Sequence, residues 1–255
     1  MEKKFKTLSS ALLLTALYGC GGGGGSDDST TETTTPPVTT TPEPTLVMPV
    51  GVWAGDIVVT ENSEQLEVVG LVAADGEFRF IREDEQQFTG TITLTDETNF
   101  TADGIGFDSD GLKLADGEFK GAYSDVSISG DTIFNNEVIS TFDLSLLDIT
   151  SADSGFNVIA GNYVDADGTT SVMIDDDGAI SGSDSLGCQY TGAFTHADES
   201  VNVYSLSLTV SSCGEFDGEY SGLATYGKAF SDVPVGLIFQ GSNAAYSLTN
   251  ILFKS

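Results

Sequence analysis

From residue 50 onward, apolar and polar side chains alternate in short runs: Asp56-Ile57-Val58-Val59, Glu77-Phe78-Arg79-Phe80, Thr91-Ile92-Thr93-Leu94, and the stretch 201–210. Alternation at period two places one set of side chains inward and the other toward water, the mark of half-buried β-strands. No stretch carries the three-to-four spacing of an amphipathic helix. Seven Asp-Gly pairs, beginning at Asp75, Asp103, Asp110, Asp116, Asp167, Asp177 and Asp217, punctuate the runs. Asp-Gly tolerates the positive φ of tight hairpins, so each pair predicts a turn. Short strands at such spacing predict a meandering barrel or sandwich.

The pattern occurs twice. DGEFRFIREDEQQFTG (75–90) lies over DGAISGSDSLGCQYTG (177–192) without a gap, GEFKGAY (117–123) matches GEFDGEY (214–220), and Gly51-Val52-Trp53 corresponds to Gly161-Asn162-Tyr163. The expected fold is therefore all-β, with two similar small antiparallel meander β-barrels (or barrel-like sandwiches) over 50–150 and 155–255, joined near 150–154. A closed meander removes the exposed edges that recruit other chains. Trp53 and Tyr163, each near the start of its unit, are the expected plugs of a barrel end.

The first fifty residues follow no such pattern. Lys3, Lys4 and Lys6 precede a mostly apolar stretch at 8–17 that ends at Gly19-Cys20. Ten helical residues span ~15 Å, half of a hydrocarbon core, which fits a signal segment better than a membrane anchor. Leu17-Tyr18-Gly19-Cys20 resembles the bacterial lipobox, with an aliphatic residue three before the cysteine and a small one directly before it. Tyr18 departs from the small or hydroxyl residue usual between them. The resemblance implies a signal peptide at 1–19, removed on lipidation of Cys20 with palmitate-type acyl chains. With Gly21 next, rather than an aspartate, it also implies delivery to the outer membrane, in a periplasmic or surface-facing orientation. A single acyl chain binds only marginally, whereas the diacylglycerol and N-acyl chain of that family hold firmly.

Residues 20–49 are a glycine run followed by a Thr/Pro/Glu tract without apolar periodicity, which cannot bury enough surface to fold and is expected to form a disordered tether. At ~3.1 Å per residue, roughly 25 extended residues hold the folded part up to ~75 Å from the lipid.

Charge excludes one class of partner. The chain has 39 Asp and Glu against 9 Lys and Arg, a formal net charge of −30. Loss of Glu2 and three lysines with residues 1–19 brings the mature chain to −32. No basic surface can displace counterions from phosphates, so nucleic acid is not a partner. Such a surface is soluble and repels anionic membranes.

Gly51-Val52-Trp53 followed by a meander resembles the calycin group of lipocalins and avidins. Gly161-Asn162-Tyr163, with Ser171-Val172-Met173-Ile174 and Gly178-Ala179-Ile180-Ser181-Gly182, is similar to the opening strands of an avidin. A lipidated, tethered, barrel-bearing chain with Gly218-Glu219-Tyr220 and Tyr226-Gly227-Lys228-Ala229 also resembles surface lipoproteins of the transferrin-binding-protein-B and factor-H-binding-protein type. Both resemblances imply architecture only, because neither family's ligand-contact motif is present.

With Cys20 assigned to lipid, Cys188 and Cys213 form an even pair in an oxidising compartment, expected as a disulfide across the open end of a hairpin rather than as two free buried thiols. No catalytic set is read. His196, beside Ala197-Asp198-Glu199, is expected as an exposed turn residue without the nucleophile and orienting acid of a triad. Zinc lacks ligands, and no cofactor is implied. Calcium has weak candidates in Asp165, Asp167, Asp175 and Asp177, with Asp108 and Asp110 in a third such turn. Aligning each turn glycine with the sixth position of an EF-hand leaves Tyr163, Met173 or Gly106 first, and Asp-rich hairpin turns explain these motifs without a metal. Two function classes follow. One is a membrane-anchored, non-enzymatic lipoprotein presenting β-barrel binding modules to an unknown protein or small-molecule ligand. The alternative is a carboxylate-dependent carbohydrate-active hydrolase, which needs a cleft with one carboxyl pKa raised by burial.

Overall fold

A computed structural model describes residues 46–255 apart from 197, 231 and 232. The signal segment, Cys20 and most of the expected tether lie outside the described residues. Eight strands, β1 (Gly51–Val59), β2 (Gln65–Val72), β3 (Glu77–Arg82), β4 (Gln87–Leu94), β5 (Asn99–Phe107), β6 (Lys113–Tyr123), β7 (Ser127–Phe134) and β8 (Glu137–Leu146), pair in sequence order and close into an antiparallel barrel. A 3-10 turn (Asp148–Ser151) and a single helical turn, α1 (Phe156–Ile159), lead to the second set. This comprises β9 (Gly161–Val164), β10 (Thr170–Ile174), β11 (Ala179–Asp184), β12 (Gln189–Thr195), β13 (Tyr204–Ser211), β14 (Gly218–Gly227), β15 (Gly236–Ser242) and β16 (Ser247–Lys254), which close into a second barrel with β16 against β9. The all-β pair of antiparallel meander barrels is thus the fold of the chain. No helix among the described residues is long and apolar enough to cross a membrane.

Each barrel starts in the same way. Gly51 and Gly161 adopt φ of 149° and 145°, a region open to glycine. Two residues later Trp53 and Tyr163 turn inward, 1% and 0% exposed. Burying a ring with a polar tip requires a partner for that tip. The Trp53 indole donates to the Pro49 carbonyl at 3.1 Å and the Tyr163 hydroxyl to the Ile159 carbonyl at 2.7 Å, each four residues upstream. The plugging role read from sequence is the observed one.

Two details of the sequence reading change. Of the seven Asp-Gly pairs, those at 75, 110, 167 and 177 turn the chain with glycine at positive φ. The pairs at 103 and 116 lie within β5 and β6, and that at 217 runs into β14. The in-strand glycines serve packing. A Cβ on Gly104 would stand 2.7 Å from the Phe119 ring, and one on Gly117 would stand 2.8 Å from the Phe134 ring. The Gly-Glu-Phe match is also displaced. Gly90 faces Gly104, which faces Gly117, whereas Gly192 faces Leu208, which faces Tyr220. The counterpart of Gly117 is therefore Tyr220, not Gly214. In the second copy Gly214–Phe216 forms a 3-10 turn between strands, and only Gly218-Glu219-Tyr220 is strand.

The interiors differ. The first barrel is filled by Phe78, Phe80, Phe88, Phe119 and Phe142, whose rings meet at centroid distances of 4.9–6.3 Å, mostly edge to face. The second is lined by aliphatic side chains such as Val172, Ile180, Leu206 and Leu208, with tyrosines among them. A third apolar cluster lies between the barrels. Val52, Val69, Leu71, Ala73 and Ile81 on the outer face of β1–β3 and beyond pack against Val203, Leu223, Ala229, Phe230 and Ile238 of the second unit. Polar groups fasten this contact. The buried Arg79 guanidinium pairs with Glu77 and donates to the Ser221 carbonyl at 3.1 Å, and Asn202 donates to the carbonyls of Ile149 and Tyr226. The Ser247 hydroxyl donates to Gln87 Oε1 at 2.5 Å.

Candidate functional site

The second barrel is closed by a short seam. In the first barrel β1 runs against β8 from Trp53 opposite Leu146 to Val59 opposite Ser140. In the second, β9 meets β16 only at Val164 opposite Phe253 and Tyr163 opposite Lys254. The cause is local. The turn Asp165-Ala166-Asp167-Gly168 diverts the chain four residues after Gly161, so nothing takes the place of Ile57 and Val59. With Trp53 equivalent to Tyr163, Leu146 corresponds to Lys254 and Phe142 to Asn250. Where the first barrel has a phenyl ring sealed against Ile57, the second has an amide and no adjoining strand.

A cavity of about 100 Å³ follows inside this barrel, walled by Val172, Ile180, Phe194, Leu206, Leu208 and Leu237 and reaching Thr170 and 248–250 at the seam. Outside the seam lies a cleft of about 670 Å³ between the barrels. Leu248, Thr249 and Asn250 line both spaces, so the wall of β16 is the partition between an apolar chamber and a polar cleft. The cleft is bordered by Glu67, Glu83, Glu85, Asp110, Asp165 and Asp167, with Arg82 as its cation. Arg82 is itself paired with Asp84.

The candidate calcium ligands are divided by this geometry. Asp165 and Asp167 stand in the β9–β10 turn on the cleft, and Asp175 and Asp177 in the β10–β11 turn at the opposite end of β10. The first aspartate of each turn is occupied. Asp165 accepts from the Thr169 amide and hydroxyl, both at 2.7 Å, and Asp175 accepts from the amides of Asp177 and Ala179. Asp108 accepts from Asp110 and Leu112 in the same manner. Desolvation pushes the Asp165 carboxyl up, but hydrogen bonds from Thr169 and Thr170 outweigh it and bring the pKa to about 2. Asp96 and Asp198 also shift downward, held by hydrogen bonds within their own turns. A general acid needs the opposite direction.

Cys188 and Cys213 form the expected disulfide, flanking the β12–β13 hairpin whose last register pair is Gln189 opposite Ser211. Their sulfurs lie near Asp184, the one cluster of metal-type donors among the described residues, but sulfurs bonded to each other are not ligands. Asp184 accepts instead from the Tyr190 hydroxyl at 2.8 Å; burial raises that hydroxyl's pKa and the bond adds to the effect. His196 is more enclosed than an exposed turn residue. Its ring stacks on Tyr204 at 4.7 Å and its Nε2 meets the Val201 carbonyl at 2.8 Å.

Sequence reasoning reached the Asp-rich turns and the disulfide but missed the seam, the chamber and Asn250. The available signal was the interval from the Gly-x-aromatic start to the first turn, which is shorter in the second copy. No family model, no curated protein and no solved structure matches this chain.

Proposed function

We propose that this chain is a lipid-anchored, non-enzymatic outer-membrane lipoprotein whose second barrel binds a small, largely apolar ligand. The observation that carries the binding role is the apolar chamber beside the incomplete β9–β16 seam, separated from the inter-barrel cleft only by the β16 wall that both spaces share. Apolar cavities with few polar groups are where small ligands gain most from leaving water, and a cavity of comparable size lined by Leu, Ile and Phe holds benzene. The membrane role rests on Lys3, Lys4, Lys6, the apolar stretch at 8–17 and Leu17-Tyr18-Gly19-Cys20.

Two measurements test this reading. Cys20→Ala should release the protein from membranes washed at alkaline pH and abolish acyl-chain incorporation; retention of the variant would refute the anchor. Methylcyclohexane added to the mature protein should shift the methyl resonances of Leu208 and Val172 saturably, and the absence of any shift there would refute the binding role.

A further inference from the structure

The ligand's chemistry is written in the polar side chains that line the chamber, among the described residues Thr170, Tyr190, Thr249 and Asn250. Three are engaged. Tyr190 donates to Asp184, Thr249 donates to the Phe239 carbonyl at 2.8 Å, and Thr170 bonds the Asp165 carboxylate. Asn250 differs. Its Oδ1 accepts the Ile251 backbone N–H at 2.7 Å, which fixes the orientation of the amide. Its Nδ2 is then the free end, and among the described residues it donates to no protein group. This amide lies on the partition shared by chamber and cleft, at the position where the first barrel carries Phe142.

We infer that the chamber takes a ring-sized apolar molecule bearing an uncharged hydrogen-bond acceptor, a ketone or amide carbonyl, which Asn250 Nδ2 recognises at the seam. This rests on the binding role proposed above and specifies its ligand. The size follows from the volume of about 100 Å³. The acceptor follows from the one donor without a partner. Neutrality follows from the adjoining cleft, where, among the described residues, Glu83, Glu85, Asp110, Asp165 and Asp167 border the space and the arginine beside them, Arg82, is paired with Asp84. A ligand carboxylate there would meet like charge across a partly desolvated cleft.

The test compares three probes of one shape on the intact mature protein, with binding read from the Leu208 and Val172 methyl resonances: methylcyclohexane, cyclohexanone and cyclohexanecarboxylate. Cyclohexanone should bind roughly two- to tenfold more tightly than methylcyclohexane, the range of one net hydrogen bond, and cyclohexanecarboxylate more weakly than either. Asn250→Asp keeps an oxygen for the Ile251 amide but removes the donor, so the ratio of cyclohexanone to methylcyclohexane affinity, measured within the same variant, should fall to about one. Asn250→Leu should lose the same advantage, so the result does not depend on one variant folding. A ketone no better than the hydrocarbon, an advantage that survives in both variants, or a carboxylate that binds as well as the ketone would each overturn the inference and leave the binding role standing. Binding of none of the three probes would overturn both.

Discussion

Leu223 tests whether the two barrels are one cooperative structure. It sits on β14, fully buried, in the cluster that joins the outer faces of the barrels. Leu223→Ala removes three carbons from that contact. At ~0.8 kcal/mol per methylene the lost transfer energy is about 2.4 kcal/mol, and a partly collapsed cavity brings the total to about 3–4 kcal/mol. For a folded part of roughly 200 residues this corresponds to a fall in Tm of roughly 6–16 °C. The assay uses the chain's single tryptophan: Trp53 is 1% exposed and lies in the first barrel, while Leu223 belongs to the second. If the interface couples the barrels, the Trp53 fluorescence midpoint falls with that of circular dichroism, which reports both. A Trp53 midpoint within about 1 °C of wild type, less than one kcal/mol by the same scaling, would refute the coupling and show that the cluster contributes no shared stability.

Two further outcomes follow from local structure. Cys188→Ser opens a bridge of sequence separation 25 and should destabilise the protein under oxidising conditions by about 3 kcal/mol on the chain-entropy account; an equilibrium denaturation midpoint equal to wild type would contradict it. Asp165 has a folded pKa of about 2, below the unfolded value of about 3.9. Its contribution is therefore fully present above the unfolded value and is lost as pH falls through the folded one. An NMR titration should show the Thr169 amide, which donates to Asp165, losing its hydrogen-bond shift across that window, and Thr169→Ala should move the carboxyl's titration upward.

The fold was legible because its signals are local. Period-two alternation, Asp-Gly turns and a repeated Gly-x-aromatic start each depend on a few neighbouring residues, and together they specify two meanders. The disulfide was legible because a hairpin brings residues before and after it together. The contact between barrels left a weaker trace. Val68-Val69-Gly70-Leu71-Val72 is a continuous apolar run rather than an alternating one, as for a strand covered on both faces, but nothing in the run says what covers the second face. The displaced Gly-Glu-Phe match was invisible for a different reason: one Gly-Glu-Phe-x-Gly-x-Tyr pattern can be strand or turn, and strand register decides. The chamber depends on β9 meeting β16, across some ninety residues of chain, and no local pattern reports a seam that fails to form.

The two copies keep one packing rule and apply it in opposite senses. In the first barrel Gly70 faces Phe80, and a Cβ on Gly70 would stand 2.8 Å from that ring. In the second the matching pair is Val172 facing Gly182, and a Cβ on Gly182 would stand 2.9 Å from the Val172 methyl. Large opposite small is retained, with the large residue moved to the other strand and reduced from a phenyl to an isopropyl group. The register likewise sets Gly130 opposite Phe142 in one and Phe239 opposite Asn250 in the other. Such exchanges preserve strand spacing while changing what the interior presents. The second barrel's short β9 leaves its wall open at the end that holds the β9–β10 turn, because successive strands alternate in direction. The Cys188–Cys213 bridge lies at that same end, as does the Ser185 amide that donates to the Thr169 carbonyl. The opening and the covalent tie share a rim but not a side: in the closed strand order β12 and β13 stand opposite the β9–β16 seam, so the disulfide ties the half of the rim that keeps its full cross-strand pairing and leaves the seam side without a covalent constraint. The first barrel, sealed by Ile57 against Phe142, carries no cysteine.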